Sequence, residues 1–461
     1  MSAYVTTNPT TGITEHEFPE LTDDQVSDIA DRSAEGFQTW RHTPVAERAA
    51  ALARTAAIYE QRAAELAAAI TTEMGKPKSQ AAGEVQLAAD IYRWYAEHGP
   101  DLLTTEQLDP QGAQESLVQK LPIGPLIGVM PWNYPYYQVA RFTAPNLLLG
   151  NSIILKHAHI CGASSKLMAE ILHDAAVPEN AYINVYATND QVAQLLRHPA
   201  IQGISLTGSE RAGSSVAAEA GKNLKKSVLE LGGSDPFILL DTADMSETVR
   251  IAARARLSNA GQACNSPKRF IVLDDLYDDF VAGLVEEFQR TVVGDPAEPD
   301  TEVGPLSSKS ARDTVADQIN TAVRQGATLH TGGSARNGTG AFLEPAVLTG
   351  ITPEMDAYSD ELFGPVAMVY KVSSAEDALA LANDVDFGLS GSVWSTDTSR
   401  AAPIADGLDV GMAYINEHGT TLPGLPFGGV NRSGYGRELG RWGLGEFVNT
   451  KLRRISPSDR K

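Results

Sequence analysis

Ser227-Val-Leu-Glu-Leu-Gly-Gly-Ser-Asp-Pro-Phe-Ile-Leu-Leu240 is the stretch on which the reading of the fold turns. An apolar run, Ser227–Leu231, is broken by Gly232-Gly233, and a second run begins at Phe237. Short apolar runs bounded by turn formers read as buried strands. Upstream, strand candidates at Leu126–Met130, Ser152–Leu155, Ala181–Val185 and Ile201–Leu206 alternate with helix-like segments. That alternation is the grammar of βαβ units and a parallel sheet. Downstream, Phe237–Leu240, Arg269–Leu273, Ala367–Val372 and Ser392–Trp394 form a second series with helices between. The simplest architecture is α/β, with two lobes meeting near Gly232.

Further out, residues from Leu21 to about Gly99 read as helices. Thr22 with Gln25 forms a capping box, Thr43-Pro44 is a second helix start, and Gly75 with Pro77 a stop. The Ala-rich run from Ala46 to Met74 reads as one long amphipathic helix. Gly112–Leu121 breaks the first lobe's alternation and reads as a strand outside the main sheet. The segment after Gly445 is another strand candidate. Exposed edges of this kind are usually covered or paired, so an oligomerisation surface stands against a spare loop and a frayed tail.

The 461 residues suit two or three packed domains, and acidic residues outnumber basic ones to a net charge of −21. That balance argues against nucleic acid or an anionic membrane as the main partner. No stretch has the apolar length of a membrane span, and the polar N-terminus lacks the features of a signal peptide. Two cysteines, Cys161 and Cys264, leave no disulfide framework and point to a reducing cytoplasm.

The residues that carry chemistry lie at strand ends and turns. Cys264, in Asn-Ala-Gly-Gln-Ala-Cys, occupies a turn where a thiolate of lowered pKa can be a nucleophile; buried, inert sulfur is the alternative, and the reading given to Cys161. Glu230 ends an apolar strand, where α/β proteins place ligands and where partial burial lifts a carboxylate toward the range of a general base. A solvated strand-end carboxylate is the competing reading. Asn133, in Pro-Trp-Asn-Tyr-Pro, is an amide fixed by two prolines and suited to an oxyanion, or else an Asx-turn residue. Gly208 and Ser209 follow a strand and open a helix, as a pyrophosphate site requires, although the GxGxxG fingerprint is missing. Lys156 caps a strand end within reach of a ribose or its phosphate. His157 and His159 have no carboxylate cluster beside them, and no metal is expected.

Six motifs in order make the chain resemble the aldehyde dehydrogenase superfamily over nearly its whole length. They are PWNYP (131–135), LTGS (206–209), ELGGSDP (230–236), GQAC (261–264), ELFGP (361–365) and PFGGVNRSGYGRE (426–438). The resemblance implies that Cys264 is the nucleophile, Glu230 the base, and Asn133 the oxyanion donor together with the Cys264 N–H. It implies that Glu361 and Phe363 hold the nicotinamide ribose, and that Trp132, Lys156, Ser209, Gly208 and Leu231 line the coenzyme groove. It also implies two Rossmann-like lobes plus a small oligomerisation β-element. On that plan 1–107 and 123–232 form a coenzyme-binding domain, 233–445 a catalytic domain, and 108–122 with 446–461 the oligomerisation element of a homodimer or homotetramer.

Within the family, many members have Lys-Pro-x-Glu where this chain has Lys156-His-Ala-His159. A glutamate there repels a 2′-phosphate; His159 removes that repulsion, so NADP is expected to serve at least as well as NAD. Arg141, eight residues after Asn133, matches an arginine with which succinate-semialdehyde dehydrogenases bind the substrate's distal carboxylate. A second arginine of those enzymes is replaced here by Ser258. The expected reaction is succinate semialdehyde to succinate, with a broad-specificity aliphatic or aromatic aldehyde dehydrogenase as the rival. A CoA-acylating enzyme is disfavoured by the presence of Glu230, and a non-catalytic binding protein by retention of Cys264, Glu230 and Asn133.

Overall fold

The computed structural model describes residues 4–456. The ends of two expected segments, 1–3 and 457–461, lie outside the described residues. The first sheet has six strands in the order Gly434–Tyr435, Lys226–Glu230, Gly203–Thr207, Pro125–Met130, Ser152–His157 and Tyr182–Val185. It is parallel except for the antiparallel Gly434–Tyr435 edge. The second has seven, in the order Thr328–Thr331, Ala346–Thr349, Val366–Val372, Arg269–Leu273, Pro236–Leu239, Ser390–Trp394 and Met412–Ile415. It is parallel except for the antiparallel Thr328–Thr331 edge. Both inner strands of the 227–240 junction are therefore real, and Pro236–Leu239 is buried on both faces, as a strand covered by helices must be.

Pro125–Met130 is the topological switch of the first sheet. The chain proceeds from it to Ser152–His157 on one side and later to Gly203–Thr207 on the other. Such a switch opens a crevice beyond the carboxyl ends of the strands. Pro131–Asn133, Gly208-Ser209 and Leu231-Gly232 all leave strands at that crevice. From the second lobe, Cys264 and Glu361–Phe363 precede the amino ends of Arg269–Leu273 and Val366–Val372.

Helix Pro135–Leu149 is buried along its whole length, which is the signature of a helix packed on every side. Helices Val45–Gln61 and Lys78–Leu102 cover it. The Thr22–Gln25 box is present, with the Thr22 N–H donating to Gln25 Oε1 at 2.9 Å. Gly75 caps Ala63–Met74 at φ 81°, a left-handed conformation that glycine adopts without a Cβ penalty.

Several expectations need correction. The run Ala46–Met74 is two helices, Val45–Gln61 and Ala63–Met74, because Arg62 leaves helical geometry at φ −99°, ψ 14°. Pro44, not Thr43, occupies the cap, and Pro77 is the N-terminal cap of helix Lys78–Leu102, the preceding helix having ended at Gly75. The N-terminal turn formers enclose a hairpin, Tyr4–Thr7 with Thr14–Phe18. Gly434–Tyr435, expected in the catalytic part, pairs with Leu229 and Glu230 at the edge of the first sheet. The stray strand Glu115–Pro122 pairs along its length with Val448–Ile455, and Glu106–Gln107 adds a third strand to that sheet.

Candidate active site

Asn133 is held from four directions. Its carboxamide oxygen accepts from Gln138 Nε2 at 3.1 Å, and its Nδ2 donates to the Gln262 carbonyl at 3.1 Å. Its main-chain oxygen accepts from Lys76 Nζ and Asn259 Nδ2, each at 2.9 Å. One amide hydrogen remains for a ligand, and its direction is fixed.

Cys264 follows a turn in which Asn259, Ala260 and Gly261 all have positive φ, near 53°, 53° and 72°. Two non-glycine residues in that region cost free energy, and such strain persists only where surrounding contacts impose it. At Gly261 a side chain is excluded outright, since a Cβ would lie 2.2 Å from the Gly364 carbonyl oxygen. Lys268 grips the far side of the turn, donating to the carbonyls of Ala263 at 2.9 Å and Cys264 at 2.7 Å.

Asn133 and the half-buried Cys264 line one cavity of about 290 Å³ with Trp132, Gly208, Ser209, Leu231, Glu361 and Phe363. Eight residues singled out in the sequence thus meet at one place. Burial pushes the Cys264 thiol up to about 11, with Glu361 and Asp235 adding to the rise and the Arg141 and Lys268 cations opposing it. Burial here works against the lowered thiol pKa expected of a nucleophile.

Glu230 does not line the cavity. It is 2 % exposed at its strand end, and neither carboxyl oxygen has a hydrogen-bond partner among the described residues. Burial raises its pKa well above the carboxylate range, Arg141 opposes this, and Glu438 reinforces it. A carboxyl so placed is unusual, because a buried polar group without a partner costs stability.

Arg141 has a setting different from the one expected. It is 1 % exposed, ion-paired with Glu438, and donates to Tyr137 Oη and Thr207 Oγ1, each at 3.1 Å. The Phe427 ring lies 4.4 Å from its guanidinium carbon. It lies near enough to Cys264 and Glu230 to act on them electrostatically, and it does not line the open cavity. Ser258 also lies off that cavity, beside the Tyr134 hydroxyl, on the wall of a separate hollow with Arg254.

The crevice fits a dinucleotide. A Cβ on Gly208 would meet only Leu206 Cδ2, at 3.6 Å, so this backbone stands open to a ligand. Ser209 caps helix Glu210–Lys222 through the Ala212 N–H, and that N-terminus favours an anion. Glu361 Oε1 accepts from the Gly233 N–H at 3.2 Å and meets Lys268 Nζ at 3.2 Å, which fixes the carboxylate at the cavity wall. Trp132 and Phe363 stand edge to face, 5.8 Å apart. Lys156 and His159 lie at the next strand's end, outside the cavity; desolvation lowers both pKa values, and the Lys156 charge lowers that of His159 further.

Sequence reading missed Gln138, Gln262, Lys268 and Glu438. Lys268 and Gln262 flank Cys264 closely enough for spacing to have suggested them. Glu438 closes a quoted motif, but its pairing with Arg141 is a tertiary contact with no local sign.

The sequence profile of the aldehyde dehydrogenase family matches residues 2–452. A succinate-semialdehyde dehydrogenase [NADP(+)] of Deinococcus radiodurans is 49% identical over 459 residues, 99% of this chain and 96% of that protein. One from Mycobacterium avium is 42% identical over 449 residues, covering 97% and 95%. Among solved structures, succinic semialdehyde dehydrogenase from Streptococcus pyogenes in complex with NADP+ as the cofactor superposes with a TM-score of 0.96. It is 41% identical, with 98% of this chain and 100% of that one covered. On this match, and on the site assembled above, the chain belongs to the aldehyde dehydrogenase family.

Proposed function

We propose that the protein oxidises succinate semialdehyde to succinate with NADP+, using Cys264 as nucleophile, Asn133 as oxyanion donor and Glu230 as base. The carrying observation is that Asn133 and Cys264 face one cavity whose other wall, Gly208, Ser209 and Glu361, suits a dinucleotide. The names of the relatives support the choice of aldehyde and coenzyme.

The Cys264 thiol first gives its proton to solvent water; the sulfur then bonds to the aldehyde carbon, and the carbonyl oxygen takes the negative charge. The free amide hydrogen of Asn133 and the Cys264 backbone N–H stabilise that charge. A bound nicotinamide would supply the hydride acceptor that this adduct needs to become a thioester on Cys264. Glu230 then removes a proton from the water that adds to the thioester, and the carbon–sulfur bond breaks. With neither oxygen held by the protein, the Glu230 side chain can turn toward that water without breaking a bond. Trp132, Leu231 and Phe363 would hold the coenzyme, Glu361 its nicotinamide ribose, and Lys156 and His159 the adenosine ribose with its 2′-phosphate.

Arg141 supports two roles. A carboxylate clamp would make Arg141→Ala raise KM for succinate semialdehyde far more than for butyraldehyde. The Glu438 pair favours instead an electrostatic role toward Cys264 and Glu230, which would lower kcat for both aldehydes alike. Ser258 would then contribute at most a hydrogen bond to the substrate. We also assign a homodimer or homotetramer built through Val448–Ile455, in the cytoplasm. The function is tested by kcat/KM for succinate semialdehyde and butyraldehyde with each coenzyme. A preference of about a hundredfold or more for the semialdehyde is expected. Equal values would leave the broad-specificity enzyme.

A further inference from the structure

The group holding the main-chain oxygen of Asn133 comes from far away in sequence. Lys76 lies between the Gly75 helix cap and Pro77, its side chain 1 % exposed, and forms a buried ion pair with Glu84, also 1 % exposed. Its ammonium donates to the Asn133 carbonyl at 2.9 Å and sits 3.6 Å from the centre of the Tyr134 ring. Glu84 holds the next stretch of the same turn. Its Oε1 accepts from the backbone N–H of Tyr136 at 2.9 Å and of Tyr137 at 3.3 Å.

These last two amides belong to the first turn of helix Pro135–Leu149, whose own cap residue, Tyr134, makes no side-chain capping bond. First-turn N–H groups need an acceptor, and a carboxylate there also meets the positive end of the helix dipole. One ion pair therefore clamps both ends of the segment from Asn133 to Tyr137. That helix also carries Gln138, which orients the Asn133 carboxamide. A wholly buried ion pair is a poor way to gain stability, because desolvation offsets most of the attraction. Its geometry is better explained by what it positions.

We propose that Lys76 and Glu84 are positioning residues for the oxyanion donor, acting through the backbone of Asn133 and the cap of helix Pro135–Leu149. This rests on the reading of Asn133 given above, and the following cycle separates the two. The variant K76M/E84Q removes both charges, so that no lone ion is stranded, and the carboxamide introduced by E84Q keeps an oxygen for the two amides. It is made with Asn133 intact and with Asn133→Ala, and the pre-steady-state burst of NADPH on mixing with succinate semialdehyde is measured alongside NADPH affinity.

With Asn133 intact, K76M/E84Q should slow the burst about 10- to 100-fold, a fraction of what removing a whole oxyanion donor costs, while NADPH affinity stays within about twofold. In the Asn133→Ala background the same pair of changes should alter the burst by less than about twofold, because residues acting as one unit are not additive. Equal slowing in both backgrounds, an unchanged burst with Asn133 present, or loss of NADPH binding would each overturn the proposal. If Asn133→Ala itself leaves the burst unchanged, the oxyanion assignment falls instead, and the clamp with it. Should the double variant not yield soluble protein, K76Q/E84Q, which likewise strands no lone ion, carries the same cycle with the same expected outcomes.

Discussion

Glu230 and Cys264 share one electrostatic circumstance: burial raises the pKa of both, while catalysis needs both ionised. A raised pKa means that the proton is retained to higher pH, so kcat/KM should climb as pH rises through and above neutrality. A flat profile between pH 6 and about 9 would contradict this. Glu230→Gln should keep the NADPH burst but lower steady-state turnover by about a hundredfold or more, since only thioester hydrolysis needs the base. Loss of the burst itself would move Glu230 into the first step. At the coenzyme end, His159→Glu should reverse preference toward NAD by about tenfold or more, read as the ratio of kcat/KM for the two coenzymes. An unchanged ratio would mean that the 2′-phosphate lies elsewhere. Cys264, Glu230 and Asn133 were legible as candidates because each sits where a strand or turn ends. Their environments were not: the same letters fit a lowered thiol pKa as well as the rise that burial causes.

Helix starts show the same division at the next scale. The Thr22–Gln25 cap could be read from four consecutive residues because both partners are local. Helix Gly162–Asp174 is capped instead by Glu73, which lies far back in the chain and accepts from the Ala163 N–H at 2.7 Å. Burial raises the Glu73 pKa from 4.5 to about 7, against the opposing hydrogen bonds of Ser164, Ala163 and Thr6. Because the folded value is the higher one, the folded state binds this proton more tightly than the unfolded chain. Its stabilising contribution is complete below the unfolded pKa and is lost as pH rises through about 7. Denaturant unfolding should therefore show the parent losing on the order of 2 kcal/mol more than Glu73→Gln between pH 5 and 8. Parallel losses would exclude Glu73 as the source. The break at Arg62 had no such sign, since an Ala-rich run continues through it without a proline or glycine.

At the scale of the whole molecule, the three-stranded sheet presents an exposed outer strand. Val448–Ile455 is its outer strand, exposed along nearly its whole length, with Leu452 59 % exposed. An open edge of this length invites pairing with a second copy. Leu452→Asp should lower the sedimenting mass toward one chain without changing the far-ultraviolet circular dichroism; an unchanged mass would put the interface elsewhere. The alternation of apolar runs determined the two parallel sheets and their junction at Gly232, because strand and helix periods are local properties of the chain. The same is true of the turns that carry Asn133, Gly208 and Cys264. Tertiary structure alone decided that Gly434–Tyr435 crosses to the first sheet, that Arg141 is bound to Glu438, and that Lys76 reaches Asn133. Those contacts join segments far apart in the chain, and burial, which sets the charge states of Cys264 and Glu230, exists only once the segments have packed.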